Sequence, residues 1–231
     1  MKKNKQGCDL KSCFLCKRCL PEWIPAVGAH RKNFSFRKGE LIFAEGDQVE
    51  GIYFVTEGKV KVHKKWGEEK ELILRIAGEG DIFGHRGLGH GSLYPISATA
   101  LEPVNACFID LHFFQASLKL NTEFSYQLLL FFADELQESE RKMRNLAHMQ
   151  VKGRIAQVLL ALKEKFGVTE EGFTNILLSR QDLASYAGTT YETVFRIINE
   201  LANDQIIRAE GKQIAIIQAD KLLDLTKETE G

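Results

Sequence analysis

Glycines divide the segment from residue 28 to residue 115 into short runs in which apolar and polar residues alternate. Eleven glycines between positions 39 and 91 separate runs such as GIYFVTEG, KVKVHKKW and ELILRIAG. Runs of this kind, joined by turns that combine Gly with Glu, Asp or Lys, are typical of half-buried strands. The residues expected on the buried side are Ile52, Phe54, Val60, Val62, Ile73 and Ile76. The pattern predicts an antiparallel β-roll or barrel.

From about residue 121 the apolar period becomes that of a helix, and alternating spacings of three and four form a heptad seam. Its members are Leu129, Phe132, Leu136, Ser139, Met143 and Leu146. The seam fits either an amphipathic helix packed on its own barrel or a helix paired with a second copy of the chain. We favour the second interpretation, in which all members except the polar Ser139 form the core of a dimer interface.

The segment 179–201, SRQDLASYAGTTYETVFRIINEL, predicts two short helices around Gly188. Ser179 with Asp182, and Thr189 with Glu192, have capping-box spacing at the two helix starts. The second helix is apolar at the spacings i, i+3, i+4 and i+7, and the residues concerned are Val194, Ile197, Ile198 and Leu201. Its outward residues are then Glu192, Phe195, Arg196 and Asn199. This arrangement is a helix-turn-helix.

The outward side chains suit the major groove of DNA. Arg196 can donate two hydrogen bonds to guanine, Glu192 can accept one from cytosine, and Phe195 can contact a thymine methyl group. A second group is expected to hold phosphates near the helix N-termini, and it comprises Ser179, Arg180, Gln181, Thr189, Thr190 and Thr193. Tyr191 completes the candidate set on the second helix, and Lys212 lies in a predicted hairpin wing, IIRAEGKQIAII.

These segments together resemble the CRP/FNR superfamily of bacterial transcription regulators. The residues that carry the likeness are Arg180, Gln181, Asp182, Gly188, Glu192, Thr193, Val194 and Arg196. The resemblance implies an α+β fold with an N-terminal antiparallel β-roll of the cyclic-nucleotide-binding, jelly-roll type, a long dimerisation helix and a C-terminal winged helix-turn-helix. It also implies a homodimer that binds a palindrome in double-stranded DNA and contacts RNA polymerase.

The expected organisation therefore has four parts. A cysteine-rich segment spans 1–27, the sensory β-roll 28–120, the dimerisation helix 121–148 and the DNA-binding domain 149–231.

Cyclic AMP is not the expected signal. Members that respond to it have a Glu after Phe-Gly and an Arg-Ser pair that holds the phosphate, whereas here His85 follows Phe83-Gly84 and Tyr94-Pro95 stand in place of Arg-Ser. A buried phosphate without a paired cation is costly. A pocket for another ligand would be lined by Phe83, Gly84, His85, Arg86 and Tyr94.

The cysteines are the better candidate sensor. Cys13, Cys16 and Cys19 are separated by two residues each, and Cys8 precedes them. Cys107 resembles the position from which the oxygen-sensing FNR branch supplies its distal cluster ligand. We favour a [4Fe–4S] cluster on four of these five thiols. The alternatives are structural zinc on the four N-terminal thiols, a reversible disulfide switch, and inert thiols. Lys17 and Arg18 are expected to lower the thiol pKa values.

Other classes of protein fit less well. A thiol-redox enzyme using Cys13 and Cys16 would need a thioredoxin-like βαβ context that the pattern lacks, so we expect a non-enzyme. No spacing of residues favours a haem as cofactor. No apolar run approaches the roughly 20 residues of a membrane helix, and no apolar segment follows the basic N-terminus. We therefore expect a cytoplasmic regulator, without a membrane partner, that responds to oxygen or redox state. The alternative is the same regulator controlled by a small ligand other than cAMP, or by a haem, in the β-roll, with structural cysteines.

Overall fold

The computed structural model describes residues 2–3, 11–67, 70–89 and 91–227. The strands are β1 (Lys2–Lys3), β2 (Lys32–Phe36), β3 (Leu41–Phe43), β4 (Gly51–Glu57), β5 (Val60–Trp66), β6 (Lys70–Ala77), β7 (Ile82–Phe83), β8 (Ser97–Ala100), β9 (Val104–Asp110), β10 (Ile207–Glu210) and β11 (Gln213–Ile216). The helices are α1 (Ile24–His30), α2 (Leu111–Leu120), α3 (Thr122–His148), α4 (Val151–Phe166), α5 (Arg180–Ala187), α6 (Tyr191–Asn203) and α7 (Ala219–Asp224).

Contacts divide the chain into two compact units, residues 1–137 and 138–231. The division falls inside α3, so the long helix contributes residues to both units. The four segments predicted from the sequence stay a prediction. None of the helices in the described part of the chain is long and apolar enough to cross a membrane.

The first unit contains the predicted β-roll. One antiparallel sheet has the strand order β1-β2-β9-β4-β7, and a second has the order β3-β8-β5-β6. Both sheets contribute to one hydrophobic core, which we call the roll core, and its larger side chains include Phe34, Phe36, Phe43, Tyr53, Phe83, Tyr94 and Phe108. The alternation of apolar residues between glycine turns therefore predicted the architecture correctly.

Strands β4 and β9 are buried on both faces rather than on one. Their residues alternate between the roll core and a second core, which we call the outer core. In β9, for example, Phe108 faces the roll core, whereas Cys107 and Ile109 belong to the outer core. The sequence predicted half-buried strands, and the difference arises because helical residues and the N-terminal segment supply a second set of apolar partners.

Helix α2 was not expected, because the sequence indicated a helical period only from about residue 121. The Asp110 side chain caps this helix by accepting a hydrogen bond of 3.0 Å from the backbone N–H of Phe113. Phe113, Phe114 and Ser117 form its buried face. A helix of ten residues contains fewer than three turns, so its apolar residues do not repeat often enough to show a helical period.

Helix α3 matches the predicted dimerisation helix to within one residue at its start. The seam is largely uncovered in the single chain: Leu129, Leu136 and Met143 are each about 60% exposed, at 64%, 60% and 59%, and Leu146 is 38% exposed. Phe132 is partly buried against the outer core. Exposed large apolar residues thus recur every seven positions along α3, the spacing of a heptad seam.

The second unit has the predicted winged helix-turn-helix order. Helix α4 ends before Gly167, and α5 and α6 follow. Strands β10 and β11 pair antiparallel and form the hairpin wing. All four residues predicted to bury one face of α6, Val194, Ile197, Ile198 and Leu201, are at most 2% exposed.

Candidate functional site

A capping box starts α5, as predicted. Ser179 Oγ accepts a hydrogen bond of 3.0 Å from the backbone N–H of Asp182, and the backbone N–H of Ser179 donates to the Asp182 carboxylate at 3.4 Å. Gly188 ends the helix in the left-handed conformation with φ of 63°. Because an L side chain is strained at this φ, the glycine fixes the turn between the two helices.

The predicted cap of α6 was wrong by one residue. Thr190, not Thr189, is the N-cap, and its hydroxyl accepts from the backbone N–H of Thr193 at 3.3 Å. The backbone N–H of Thr189 donates to the carbonyl of Ala184 at 3.0 Å. Thr189 therefore still completes the C-terminal turn of α5, and α6 can begin only after it.

The outward face of α6 carries the residues predicted to read bases. Glu192 and Arg196 are exposed, as is Asn199, for which no base contact is predicted, and Arg196 Nη1 lies 3.8 Å from Glu200 Oε2 on the same helix. Tyr191 and Phe195 are also exposed, and their rings lie nearly parallel with centroids 6.3 Å apart. These side chains lie outside the buried face, so the N-terminal half of α6 presents both charged and aromatic groups to solvent.

The residues predicted to hold phosphates surround the starts of the two helices. Gln181 and Thr190 are exposed, and Arg180 is half-buried. Arg180 Nη1 is buried and has no hydrogen-bond partner among the described residues. Burial lowers the pKa of Arg180, and the neighbouring Tyr191 partly opposes that effect. Lys212 is exposed at the tip of the β10–β11 wing.

A residue that the sequence did not single out holds the turn in place. The guanidinium of Arg154, on α4, donates to the carbonyl oxygens of Ala187 at 2.9 Å and Gly188 at 3.2 Å. A third nitrogen of the same group donates to the carbonyl of Met149 at 2.8 Å. Arg154 thereby links the residue after α3 to the turn of the helix-turn-helix. Only the folded backbone reveals this role, because the accepting atoms belong to no motif.

Four of the five cysteines meet in the outer core. Cys13, Cys16, Cys19 and Cys107 are all buried there, whereas Cys8 lies outside the described residues. The helical residues Phe113, Phe114, Phe124 and Leu128 share this core with them. The structure thus brings the thiol of β9 together with the N-terminal thiols, across more than 85 residues of sequence.

The thiols are in an apolar environment. Burial raises the pKa of the Cys19 thiol to about 12, and the nearby Cys13 adds to this effect. The expected lowering of the thiol pKa by Arg18 does not occur at Cys19, because the Arg18 guanidinium lies 4.0 Å over the Phe14 ring and donates to the Phe14 carbonyl.

Among the residues described, no group of three or more His, Cys, Asp or Glu side chains is arranged to hold a metal ion.

The N-terminal segment is attached to the helices on both sides of residue 121. The backbone N–H of Leu20 donates to Asn121 Oδ1 at 3.0 Å, and Trp23 Nε1 donates to Ser117 Oγ at 2.9 Å. The Phe14 ring meets the Phe131 ring edge-on, with centroids 5.0 Å apart. The segment that carries the N-terminal thiols therefore contacts residues of both α2 and α3.

The candidate ligand pocket of the β-roll is filled with protein side chains. The ring of Tyr94 stacks on that of Phe43 at 3.8 Å, and its hydroxyl donates to the Gly51 carbonyl at 2.6 Å. Burial raises the pKa of Tyr94. Phe83 is fully buried in the same core, and Gly84 has the left-handed φ of 83° that starts the next turn. The pocket stays a prediction, and the rings occupy its position here.

His85 and Arg86, the remaining pocket residues, bind a carboxylate of α3. Glu135 accepts from Arg86 Nε at 3.1 Å and from Arg75 Nη1 at 2.6 Å, and its Oε2 lies 2.9 Å from His85 Nε2. Burial raises the pKa of Glu135, but the His85 hydrogen bond and the two guanidinium charges outweigh this and hold the pKa well below its usual range. Nothing in the sequence pattern distinguishes Glu135 from the other acidic residues of α3.

Comparisons with known proteins agree with this architecture. Residues 33–121 match the cyclic nucleotide-binding domain family and residues 153–225 match the Crp-like helix-turn-helix domain family. The chain is 34% identical over 181 residues to the cAMP-activated global transcriptional regulator CRP of Pasteurella multocida, covering 78% of this chain and 86% of that protein. It is 29% identical over 204 residues to a CRP-like cAMP-activated global transcriptional regulator of Mycobacterium tuberculosis, covering 87% and 91%.

Two solved structures extend the comparison. FixK2 from Bradyrhizobium japonicum has a TM-score of 0.77 and 26% identity, over 86% of this chain and 98% of that one. The c-di-GMP responsive global regulator CLP of Xanthomonas campestris has a TM-score of 0.73 and 25% identity, over 84% and 98%. Together with the helix-turn-helix geometry, these matches show that the chain belongs to the CRP/FNR family of DNA-binding transcription regulators.

Proposed function

We propose that this regulator is a homodimer that binds a DNA palindrome in the cytoplasm and responds to oxygen or redox state through its cysteines. One observation carries the redox part of the proposal. Cys107 and three N-terminal thiols share a buried core with Phe124 and Leu128 of α3. A chemical change at the thiols would alter the packing of the same helix that carries the proposed dimer interface.

The dimer is proposed from the exposed seam of α3. Leu129, Leu136 and Met143 recur every seven residues and are each more than half exposed. Large apolar side chains in such a stripe are stabilised when a second helix covers them. Two copies would present two α6 helices related by a two-fold axis, and such a pair recognises half-sites about one helical turn apart.

In this proposal the DNA contacts divide into two classes. Glu192 and Arg196 read a G·C base pair from the exposed face of α6, because their donor and acceptor groups match its major-groove edge. Arg180 supports a phosphate contact, since it is the first residue of α5, where the backbone N–H groups favour an anion. Contact with RNA polymerase is proposed from the family resemblance alone. We propose no enzymatic role.

The type of ligand suits an iron–sulfur cluster, although the described thiols are not arranged around a metal position. Thiolates are the ligands of such clusters, and Cys13, Cys16, Cys19 and Cys107 are gathered in one core, with Cys8 as the fifth candidate. A buried thiolate needs a compensating positive charge, as the raised pKa of Cys19 indicates, and iron would supply it. When bound, a [4Fe–4S] cluster would supply oxygen-labile redox chemistry. Structural zinc and a disulfide switch are the competing uses of these thiols.

Phe131 offers a route from the thiols to the β-roll. Its ring lies against Phe14 on one side, 5.1 Å from the His85 ring, and beneath the Arg75 guanidinium at 5.5 Å. The thiol segment and the Glu135 cluster therefore contact the same aromatic side chain of α3. A change in the packing of Phe14 would therefore alter the contacts of Phe131 with the residues around Glu135 as well as those with the thiol segment.

The test is the iron, acid-labile sulfide and zinc content of protein purified without oxygen, with DNA binding measured before and after exposure to air. Iron and sulfide together with air-sensitive binding support the cluster. Zinc without iron indicates structural thiols, and metal-free protein whose binding depends on a thiol reductant indicates the disulfide switch. Single Cys→Ser variants, including Cys8→Ser, would then identify which four thiols serve as ligands.

The second candidate is a ligand-controlled regulator with structural cysteines. It is favoured by the match of residues 33–121 to the cyclic nucleotide-binding domain family. Cyclic AMP itself is not proposed, because the Tyr94 ring and its bond to Gly51 occupy the place where a phosphate-binding pair is expected. We expect cAMP to leave DNA binding unchanged, and dialysed, fully reduced, metal-free protein to bind poorly if another ligand is required. Haem is not favoured by any side-chain arrangement described here.

A further inference from the structure

Helix α6 carries two exposed aromatic side chains where a DNA-reading helix needs mainly polar ones. Tyr191 is 45% exposed and Phe195 is 51% exposed. They are four residues apart, so they lie one above the other on a single face, and their rings are inclined by only 17°. The two residues thus form one apolar patch, which we call the aromatic pair.

The aromatic pair is not part of a core. The buried face of α6 consists of Val194, Ile197, Ile198 and Leu201, none more than 2% exposed. Phe195 points away from that face, beside the exposed Glu192 and Arg196, and Tyr191 lies at the edge of the buried face. Exposed aromatic rings are unfavourable in water, so the patch is best explained by an apolar group that covers it.

The position of the pair identifies that group. Tyr191 is the first residue of α6 and Phe195 begins its second turn, and the N-terminal residues of a recognition helix contact base edges in the major groove. The only apolar group that base pairs expose there is the C5 methyl of thymine. We propose that the aromatic pair is a specificity determinant that binds thymine methyl groups next to the G·C pair read by Glu192 and Arg196.

This inference rests on the proposed DNA readout and adds a second base to it. Phe195 has no polar atom, so it contributes discrimination by contact with a methyl group and not by hydrogen bonding. Tyr191 packs against it and also interacts electrostatically with Arg180. One end of the pair is therefore next to a phosphate-binding candidate.

The experiment removes the methyl group and nothing else. A binding site is first selected from random duplexes with the full-length protein, and each thymine of the half-site is then replaced singly by uracil. We expect about a fourfold loss of affinity for each buried methyl group at one or two positions, as the free energy of methyl burial implies. Replacing cytosine by 5-methylcytosine beside those positions serves as the reverse test.

Variants connect the effect to the two side chains. Phe195→Ala should bind the thymine and uracil sites equally, whereas Phe195→Leu, which keeps apolar contact, should retain part of the preference. Tyr191→Phe should retain the preference and Tyr191→Ala should weaken it. Asn199→Ala is the matched control, because Asn199 is exposed on the same helix and carries no ring; its thymine preference should equal that of the wild type.

The outcomes separate this inference from the function on which it rests. If no duplex is selected, the proposed DNA readout fails. If a site is selected but uracil is tolerated at every position by the wild-type protein, only the aromatic inference is overturned. Retention of the full thymine preference by Phe195→Ala would also overturn it. The uracil measurement on unaltered protein keeps the test valid even if a variant fails to fold.

Discussion

His85 and Glu135 are fifty residues apart in the sequence, and His85 Nε2 lies 2.9 Å from Glu135 Oε2 in the fold. His85 follows β7 of the roll, and Glu135 belongs to α3. Arg75 and Arg86 contact the same carboxylate, so one side chain of the long helix holds three groups of the roll. His85 and Arg86, two residues of the predicted ligand pocket, therefore bind a carboxylate of the protein's own helix α3.

Glu135→Gln should lower the free energy of unfolding by about 3 kcal/mol, because it removes one partner of a largely buried ion pair. The amide keeps the shape but leaves the guanidiniums of Arg75 and Arg86 with less compensating charge. Chemical denaturation followed by circular dichroism measures the effect. Glu138→Gln is the control, since its pair with Arg141 is exposed and should contribute less than about 1 kcal/mol. Equal effects of both variants would contradict this account.

Stability should fall on acidification in two stages. Burial lowers the pKa of His85 below its ordinary 6.5, so the unfolded chain takes up this proton at a higher pH than the folded one. The contribution of neutral His85 to the free energy of unfolding is therefore fully present above pH 6.5, and it is lost as the pH falls toward the pKa of His85 in the folded protein. The lowered pKa of Glu135 removes further stability below its ordinary 4.5.

Urea titrations between pH 8 and pH 5 test the first stage. His85→Gln retains a donor toward Glu135 but does not titrate, so its stability should vary less over this range. An unchanged pH profile in this variant would assign the acid sensitivity to other groups.

Leu136→Asp should convert the proposed dimer into monomers. Leu136 is 60% exposed in the single chain, so the change should leave each chain folded while placing a charge at the centre of the seam. Sedimentation or light scattering would show the mass. Gln137→Asp, next to it on the helix but outside the heptad seam, should remain dimeric. A dimeric Leu136→Asp protein would place the interface elsewhere.

Arg154→Ala should lower both the stability of the C-terminal unit and DNA affinity, because three backbone carbonyls lose their donor. We expect a loss of about 3 kcal/mol in unfolding free energy. Arg154→Lys should recover little of it, since one ammonium group cannot replace the guanidinium fork. Lys152→Ala, which removes a half-exposed pair with Glu200, is the control. Thermal unfolding and DNA titrations that fail to distinguish the two would refute the role of Arg154.

Arg196→Ala should cost about 1–3 kcal/mol of binding to the selected site and relax the preference at one base pair. Lys212→Ala should instead weaken all sequences alike and reduce the salt dependence by about one charge. Competition assays at two salt concentrations separate these results. An unchanged specificity ratio in Arg196→Ala would refute base reading by this residue.

The sequence predicted those parts of the molecule that local chemistry determines. Glycine turns, the apolar face of α6 and the capping box of Ser179 with Asp182 all depend on residues within a few positions of one another. The cap of α6 shows the limit of such reasoning. Both Thr189 and Thr190 have the right chemistry, and only the hydrogen bond from Thr189 to Ala184 decides between them.

Contacts between distant segments could not be predicted in the same way. Glu135 is one of many acidic residues on α3, and nothing in its spacing connects it to His85. Helix α2 was missed because its apolar residues have no repeat long enough to show a period. The meeting of Cys107 with the N-terminal thiols was suggested by resemblance to a family and not by the residues themselves.

The double-sided burial of β9 has an evolutionary consequence. Neighbouring positions along this strand belong to different cores, so selection on Phe108 concerns the roll interior while selection on Cys107 concerns the thiols and helices. Strand β9 thus lies between two cores, and a substitution on one of its faces affects mainly the core on that side. A cysteine on one face of β9 can therefore be lost or gained in evolution while the core on the other face stays intact. A one-residue insertion in β9 would instead move the side chains of each face into the opposite core.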